Sequence, residues 1–418
     1  MALKDKVDFD RVDKLIEFSM GMMEGKDGSK LIKKYQGAID NITPFDMVAL
    51  EEKQLERGVD LKAIKKDIEK IINVLKPALD SYEWEKPGEG HPIYYYMKEN
   101  RKLEELLGET KKTIKSIKFD NLNSEESAKK LTEFEEQIQE LSQFNCHYIR
   151  KENILFPYLE ASWDYTRPLQ VMWSIHDDIR DSWKQVLARV REEKELTPET
   201  DKKLGRLFLM AYRMAHKEEQ IIFPLAMEAL TEADWAEMLL QEPEVGYFQI
   251  NGPDQGQLNN AQQLLARTGS ARDVSQSEDV SEIKDAVLEF ATGRLSKEQL
   301  KLIFNYLPVD LTYVDENDQV RFFSDPPERI FPRSPAIIGR KVHNCHPPES
   351  VHIVEQIVED FKAGKREQAR FWLTINERFI LIDYFSLRDD ANKYRGVIEV
   401  TQDITEIREL EGEKRLLD

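Results

Sequence analysis

The stretch Cys146-His147-Tyr-Ile-Arg-Lys-Glu152-Asn-Ile-Leu-Phe-Pro157 decides how the chain is interpreted, because a second stretch repeats its pattern. That second stretch reads His216-Lys-Glu-Glu219-Gln-Ile-Ile-Phe-Pro224. In both, a histidine and then a glutamate precede an apolar run that ends in Phe-Pro. Two further histidines, His91 and His176, lie in segments with helical periodicity. Four helices that each carry one inward histidine, with a glutamate on two of them, have the composition of a two-metal site in a helical bundle.

Length and composition predict several soluble domains. A chain of 418 residues with 40% hydrophobic and 33% charged residues is long enough for two to four domains, and we expect three. The net charge of -19 argues against a nucleic-acid partner and against an anionic membrane surface. The two cysteines, Cys146 and Cys345, lie far apart and predict no disulfide framework. With no signal peptide and no apolar run of about 18 residues, we expect a cytoplasmic protein.

Changes in hydrophobic period divide the chain into four segments and predict a multidomain fold of the α plus α+β class. Residues 1–82 read as a small helical domain whose expected role is contact, with itself or with a partner. Residues 83–240 contain four long amphipathic segments, which predict an up-and-down four-helix bundle. Residues 241–293 are rich in Gln, Asn, Gly and Ser and read as a linker with one short helix, from Ile283 to Phe290.

The C-terminal segment, residues 294–418, changes to the two-residue period of strands. Two strands, short helical elements, a longer helix and three strands follow one another, which predicts an antiparallel sheet with helices. This order resembles a PAS domain, and Asp403-Ile-Thr-Glu-Ile-Arg resembles the exit of that domain into a C-terminal helix. Because the sequence ends within that helix, we expect no output domain and a readout through a protein partner or a homodimer.

The two Phe-Pro stretches differ in how easily each histidine and glutamate can face the same interior. His216 and Glu219 are three residues apart, about 60° around a helix, and share a face. His147 and Glu152 are five apart, about 140° around a helix, so the glutamate has to reach back.

Residues 88–235 resemble the hemerythrin family, in particular its bacterial His-His-Glu cation-binding branch. Besides the two Phe-Pro stretches, Gly90-His91-Pro92 and Met172-Trp-Ser-Ile-His176-Asp-Asp-Ile-Arg180 carry the resemblance. The resemblance implies two iron ions, with manganese as an alternative. It implies these metal ligands: His91, His147, Glu152, His176, His216 and Glu219.

The spacing departs from the commoner pattern of this branch. That pattern would place the first carboxylate at Lys151, the second at Glu218, and a histidine where the chain has Met214. Three possibilities stay open: the ligands are Glu152 and Glu219, Glu218 replaces one of them, or the site holds fewer than two metals.

Residues 1–82 also resemble a known domain, and the PAS-like segment contains candidate cofactor ligands. The order of segments in residues 1–82 resembles a bacterial domain of unknown function, number 438 in its series, which commonly precedes a hemerythrin-like domain. Its Cys-Asp-x-His element corresponds here to Ile68-Glu69-Lys70-Ile71, so no metal or redox role is expected for that element. The cavity of the PAS-like segment could hold a heme or flavin, and Cys345 or His346 is a candidate axial ligand of the heme iron, with a structural corner as the alternative.

Taken together, the sequence predicts a di-iron sensor or regulator of O₂, nitric oxide or redox state, with a PAS domain that relays the signal. This interpretation favours a non-enzymatic metal-binding sensor and leaves open whether the protein is an enzyme. One alternative is a di-iron stress-response protein that reduces or stores O₂, nitric oxide or peroxide, or supports iron-cluster repair. Another is a metal-free interaction scaffold, which Lys151 and Met214 favour.

Overall fold

A computed structural model of the chain contains two compact units, Met1–Ala271 and Arg272–Asp418. The first unit is helical, and the second combines helices with an antiparallel sheet, as the sequence predicted. The structure describes residues 3–119, 124–193, 196–268, 287–375 and 377–413.

The N-terminal part of the helical unit has four helices, and local capping signals explain where they begin. Asp8 accepts a hydrogen bond from the first turn of α1, and Thr43 forms a capping box with Asp46 ahead of Pro44. Pro77 lies inside α4, where the sequence placed the end of the helix. Only the last turn follows this proline, so one lost hydrogen bond is tolerated. The helices are α1 Phe9–Met23, α2 Gly28–Asp40, α3 Pro44–Glu56 and α4 Leu61–Asp80.

The Ile68–Ile71 element lies within α4, and the side chains of residues 66–70 are outside the described part of the chain. The rest of α4 packs with α3 against the bundle. Lys65 of α4 donates a 2.7 Å hydrogen bond to Ser174 Oγ. Glu51 of α3 accepts two hydrogen bonds from Lys217. Residues 1–82 therefore belong to the same compact unit as the bundle, although the sequence assigned them to a separate domain.

The four long amphipathic segments form the expected helices, and two of them change their winding. In each, a single π turn separates an α-helix from the Phe-Pro that follows, and the two π turns are Lys151–Leu155 and Glu218–Ile222. Such turns are rare and often occur at functional sites. The helices are α5 Pro92–Phe119, α6 Ser124–Ser142, α7 Asn145–Arg150, α8 Phe156–Ser162, α9 Arg167–Glu193, α10 Pro198–Lys217 and α11 Phe223–Ala229.

A proline follows each of the two π turns. Pro157 and Pro224 each take an early position in the helix after the turn, where a missing backbone N–H costs least. The residue before each proline bonds five residues back: the N–H of Phe156 donates to the carbonyl of Lys151. Lys151 and Glu152, the first two residues of the first π turn, are both buried in the interior.

The region predicted as a linker contains two helices, α12 Glu232–Val245 and α13 Gln255–Thr268. Ala261 of α13 is buried in an apolar cluster with Tyr95, Ala236 and Leu239. The Gln- and Asn-rich composition concealed the few apolar residues of α13, which recur on one face. Within the predicted short helix, residues 283–286 lie outside the described part, and 287–290 form a strand instead.

The C-terminal unit is built on a five-stranded antiparallel sheet of order β4-β3-β7-β6-β5. Gly396, at φ +125°, begins the pairing of β7 with β3, where a Cβ would lie 2.1 Å from the carbonyl oxygen of Val314. The core includes Val320, Ile337 and Phe361. The elements are β1 Val287–Phe290, β2 Gly293–Ser296, α14 Lys297–Tyr306, β3 Asp310–Asp315, β4 Val320–Phe323, α15 Pro348–Lys362, β5 Gln368–Ile375, β6 Arg378–Arg388 and β7 Tyr394–Asp403.

The expected C-terminal helix is reduced to a short turn in the described residues. After β7, the chain forms a 3-10 turn at Ile407–Glu409, and residues 414–418 lie outside the described part. Among the described residues, no helix combines the length and apolar character that crossing a membrane requires.

Candidate functional site in the helical bundle

The bundle interior contains a cluster of ionisable side chains, which we call the bundle centre. Its members come from α5, α7, α9 and both π turns, and each side chain is at most 5% exposed. Burying charge in a dry interior costs several kcal/mol per ion unless partners compensate, so the cluster needs a specific explanation. The members are Glu99, His147, Lys151, Glu152, His176 and Glu218.

His147 lies between two carboxylates of the centre. Its Nδ1 is 2.8 Å from Glu99 Oε2, and its Nε2 is 3.0 Å from Glu218 Oε2. The imidazole also stacks on Phe144, with ring centroids 4.4 Å apart. The orientation of this ring is therefore set from three sides.

His176 has a similar arrangement with different partners. Its Nδ1 donates to Glu152 Oε1 at 2.7 Å, which leaves Nε2 as an acceptor for the Lys151 ammonium at 3.2 Å. The ring stacks on Tyr148, with centroids 4.3 Å apart. Burial, with the nearby Lys151 and Arg180 cations, lowers the pKa of His176 well below its usual value. The imidazole is therefore neutral at physiological pH.

Lys151 and Glu218 connect the two histidines. The Lys151 ammonium donates to Glu218 Oε1 and to His176, and it lies 4.7 Å from the centroid of the Tyr148 ring. Burial alone would raise the pKa of Glu218, but Lys151 and His147 outweigh burial and hold it at about 2. Glu218 is therefore ionised throughout the physiological range and balances the buried lysine.

Two arginines neutralise the remaining carboxylates of the centre. Arg150 donates to Glu99 Oε1 at 3.0 Å, and Arg180 donates to Glu152 Oε2 at 2.7 Å. Burial raises the pKa of Glu152 to about 7 despite the opposing effect of Arg180. When Glu152 is ionised, each of the three carboxylates of the centre faces one cationic side chain. Two further carboxyl groups lie near the arginines: Glu242, which is buried and interacts with Arg150, and Asp177, which lies 2.7 Å from Arg180.

Three of the predicted ligands lie away from this centre. His91 accepts the Ile93 N–H at the start of α5 and packs on Trp235, with ring centroids 4.5 Å apart. Burial lowers the pKa of His91 to about 4. Its short-range contacts are those of a helix-capping residue.

His216 and Glu219 also face other neighbours. His216 Nε2 lies 2.6 Å from Asp80 and 3.0 Å from the Lys76 ammonium, both in α4. Residues two apart on a helix do not share a face, so His216 turns away when Glu218 faces the centre. Glu219 is 3.5 Å from Asn100 at the edge of the bundle. Of the six predicted ligands, only His147, Glu152 and His176 are in the centre.

The residues present do not fit a two-metal site. Among the described residues, no group of three or more His, Cys, Asp or Glu side chains has the arrangement needed to hold a metal ion. His147, His176 and Glu218 have suitable donor atoms, but the Lys151 ammonium already contacts two of them. A metal would have to displace this ammonium, and Glu152 would not bind it, because that carboxylate contacts the opposite nitrogen of His176.

Sequence reasoning missed Glu99, Arg150 and Arg180, and it treated Lys151 only as a departure from a pattern. A signal for Glu99 was available, because it lies three residues after Tyr96 and four before Leu103 on the apolar face of α5. A charged residue on such a face is a candidate for a buried pair.

The C-terminal unit contains a small internal cavity. Its volume is about 30 Å³, and Cys345 and His346 line it together with Thr312, Arg333 and Glu399. At roughly 10–15 Å³ of such volume per water molecule, the cavity has room for a few waters. It has no room for a heme or flavin at the two candidate ligands. The Thr312 hydroxyl has no hydrogen-bond partner among the described residues.

Two family comparisons agree with these folds. Residues 91–226 match the hemerythrin HHE cation binding domain. This match identifies a hemerythrin HHE domain. Residues 300–405 match a PAS domain, so the chain combines an HHE domain with a PAS domain. The resemblance of residues 1–82 to the domain of unknown function stays a prediction.

The chain is also similar to solved structures. The match to the crystal structure of a C-terminal domain from Streptococcus mutans has 32% sequence identity and a TM-score of 0.29. It covers 30% of this chain and 98% of the Streptococcus mutans chain. A PAS domain from Colwellia psychrerythraea is 16% identical, with coverage of 26% and 97% and a TM-score of 0.22. The PAS domain of Bordetella pertussis BvgS is 18% identical, with coverage of 27% and 88% and a TM-score of 0.23. No curated protein matches the chain.

Proposed function

We propose that this chain is a sensor-type regulator, in which the centre of the HHE domain receives a signal and the PAS domain relays it. The presence of an HHE cation binding domain and a PAS domain in one chain supports a sensor-type protein. The readout passes to a partner protein or to a second copy of the chain in the cytoplasm.

The buried centre is the observation that carries this proposal. Replacing buried ion pairs with apolar residues of similar volume is often neutral or stabilising, so stability alone does not explain the network. Lys151, Glu152 and Glu218 of the centre come from the two π turns, a type of element that recurs at functional sites. A centre of this kind can respond when a ligand or ion breaks the Lys151–Glu218 pair, because each partner would then be left buried and uncompensated.

The nature of the signal follows from the donor atoms. Two irons that respond to O₂, nitric oxide or redox state would need the six predicted ligands around one volume, and three of them lie elsewhere. The proposal therefore includes no two-iron chemistry. Its signal is a cation or a redox-active small molecule that competes for Glu218 or for the Nε2 atoms of His147 and His176.

Hydrogen exchange of the full chain tests the proposal. Exchange would be compared for the untreated protein, for protein with ferrous iron under anaerobic conditions, for the same sample after exposure to air, and for protein with a nitric oxide donor. We expect at least one condition to increase exchange in residues 147–157 and 216–224, and to change it in β6 and β7.

Matched variants make this result specific to the centre. Glu218→Gln removes the charge that holds Lys151 and should reproduce the triggered exchange pattern without any addition. Glu105→Gln makes the same change on the exposed face of α5 and should have no effect. If neither the additions nor Glu218→Gln alters exchange in the PAS strands, the proposed relay is wrong.

A second candidate function is a one-iron protein of the nitrosative or oxidative stress response. The specific observation is that Glu99 and Glu152 each lie at the Nδ1 of a histidine, as carboxylates commonly do behind metal-bound histidines. If the metal displaced Lys151, His147, His176 and Glu218 would hold the iron, and the iron would supply redox chemistry. Turnover of peroxide or nitric oxide by iron-treated protein, lost in His147→Ala, would favour this candidate over the sensor.

A further inference from the structure

We infer that Lys151 is the resident cation of the HHE domain: its ammonium occupies the position of a metal ion, and the surrounding side chains hold the ammonium instead. The inference concerns the same bundle centre as the proposed function, and it rests on the proposed function only because both involve this centre. It specifies what the centre contains before any signal arrives.

The contacts of the ammonium carry the first step. Lys151 is fully buried, and its Nζ donates to Glu218 and to Nε2 of His176. Neutral imidazole nitrogen and carboxylate oxygen are the donor atoms that a divalent transition metal uses. The lysine therefore uses the atoms that would otherwise bind a metal, and the face of Tyr148 provides a third contact.

The charge of the network carries the second step. In a metal site, carboxylates compensate for the charge of the ion, and they are left uncompensated when the ion is missing. Here Arg150, Lys151 and Arg180 are matched by Glu99, Glu218 and Glu152 in close pairs. A divalent ion bound to Glu218 and His176 while the Lys151 ammonium stays in place would put two positive charges side by side in a dry interior. Metal and ammonium therefore exclude each other.

The π turn carries the third step. Lys151 begins the turn, four residues after His147, at the position where the commoner family spacing has its first carboxylate. Its side chain points into the centre, whereas Glu152 reaches Nδ1 of His176 and acts as a positioning residue. A carboxylate at position 151 would face the same volume as Glu218 and the two Nε2 atoms. A single substitution should therefore create a metal site.

Metal titration of Lys151→Glu tests the inference. Full-length protein stripped of metal would be titrated with Co²⁺, followed by its visible absorption, and with Fe²⁺ under anaerobic conditions, followed by metal analysis after desalting. We expect the native chain to retain no stoichiometric metal and Lys151→Glu to retain at least one ion per chain. Adding His147→Ala and His176→Ala to Lys151→Glu should abolish this uptake. Adding Glu152→Gln instead should weaken binding by about 10–100-fold through the orientation of His176.

Two further variants control for charge and for folding. Lys102→Glu makes the same charge change at a half-buried position of α5, away from the bundle centre, and should bind no metal. Lys151→Ala removes the ammonium without adding a ligand, so it should bind Co²⁺ weakly through the three remaining donors. It provides the test if Lys151→Glu does not fold, as judged by circular dichroism.

Three results would overturn the inference. The first is stoichiometric metal in the native chain that is lost in His147→Ala. The second is a folded Lys151→Glu that takes up no metal. The third is a folded Lys151→Ala that binds no more Co²⁺ than the native chain. These outcomes are separate from the proposed sensor function, because a native chain without metal could still relay a signal to the PAS strands in the exchange experiment.

Discussion

Replacing Lys217 with methionine should weaken the helical unit far more than an ordinary surface substitution. The Lys217 ammonium donates to both oxygens of Glu51, at 2.7 and 2.9 Å, and the two side chains are only 4% and 1% exposed. In Lys217→Met, the Glu51 carboxylate would stay buried without its cation. Breaking a buried pair in this way costs about 3–5 kcal/mol. We expect that loss in the free energy of unfolding at neutral pH.

Urea unfolding followed by tryptophan fluorescence measures this loss. Every tryptophan except Trp372 lies in Met1–Ala271, so the signal reports mainly the helical unit. Lys102→Met is the matched control, because Lys102 pairs with Glu105 at 3.3 Å on the surface and such pairs contribute roughly 0–1 kcal/mol. The double variant Lys217→Met, Glu51→Leu should recover most of the stability, since neither charge would then be left buried.

Two results would refute this reasoning. One is a Lys217→Met variant that loses no more stability than Lys102→Met. The other is a double variant that is as unstable as the sum of its two single variants, because the coupling between the charges would then be absent. Either result would mean that the contact between α3 and the bundle does not depend on this ion pair.

Three other predictions concern separate parts of the molecule. Gly396→Ala should destabilise the PAS domain by more than about 1 kcal/mol, because its φ of +125° is strained for alanine and the new Cβ would meet the carbonyl oxygen of Val314. Hydrogen exchange of β3 and β7 measured against urea concentration checks this. Burial raises the pKa of Glu242 to about 7. The native state therefore binds more protons than the unfolded state between pH 4.5 and 7, and the free energy of unfolding falls as pH rises through that range. Glu242→Gln should remove the contribution of this carboxyl to the slope, leave that of Glu152, and add roughly 3 kcal/mol above pH 7. Urea unfolding at a series of pH values would show this, and a slope as steep as that of the native chain would contradict it. His91→Ala should leave the metal uptake of Lys151→Glu unchanged, as metal analysis would verify, since His91 lies away from the bundle centre.

Much of the fold could be predicted from the sequence because its periodic elements are long. The strand β3, Asp310–Asp315, alternates apolar and polar residues and pairs with β4 and β7, as its pattern indicated. The Thr43-Pro44 signal marks the start of α3, and the structure has the full capping box. In these cases local preference and tertiary packing favour the same structure.

The bundle centre could be located from the sequence but its composition could not. The helical wheel that placed Glu152 about 140° from His147 assumed a continuous α-helix, and the π turn widens the helix between them. Lys151 looked like a departure from a ligand pattern, because a lysine is almost never fully buried unless it is paired. Its partner, Glu218, lies in the other π turn, so this pairing depends on contacts that no local pattern contains.

The linker prediction failed for a related reason. Polar composition between Gln249 and Glu278 favoured a loop, yet α13 forms because Ala261 and its apolar neighbours have a surface of the bundle to cover. A weakly amphipathic segment becomes a helix when tertiary contacts supply what its own propensity lacks. The ion pairs between α3 and the bundle likewise leave no trace in periodicity, so the sequence did not predict that residues 1–82 pack into one compact unit with the bundle.

The π turn at Lys151–Leu155 has a consequence for comparing this chain with its relatives. A π turn holds one residue more than an α turn, so it is equivalent to a one-residue insertion in a continuous helix. Deleting one residue there would rotate the preceding helix by about 100° relative to Phe-Pro and turn His147 away from the core. In a relative without the inserted residue, the side chain at a given place in the bundle would therefore come from a different position of the sequence alignment. A relative that lacks the π turn therefore needs a gap between the histidine and the Phe-Pro, whereas the commoner spacing of the branch has the same number of residues as this chain and aligns position 151 without one.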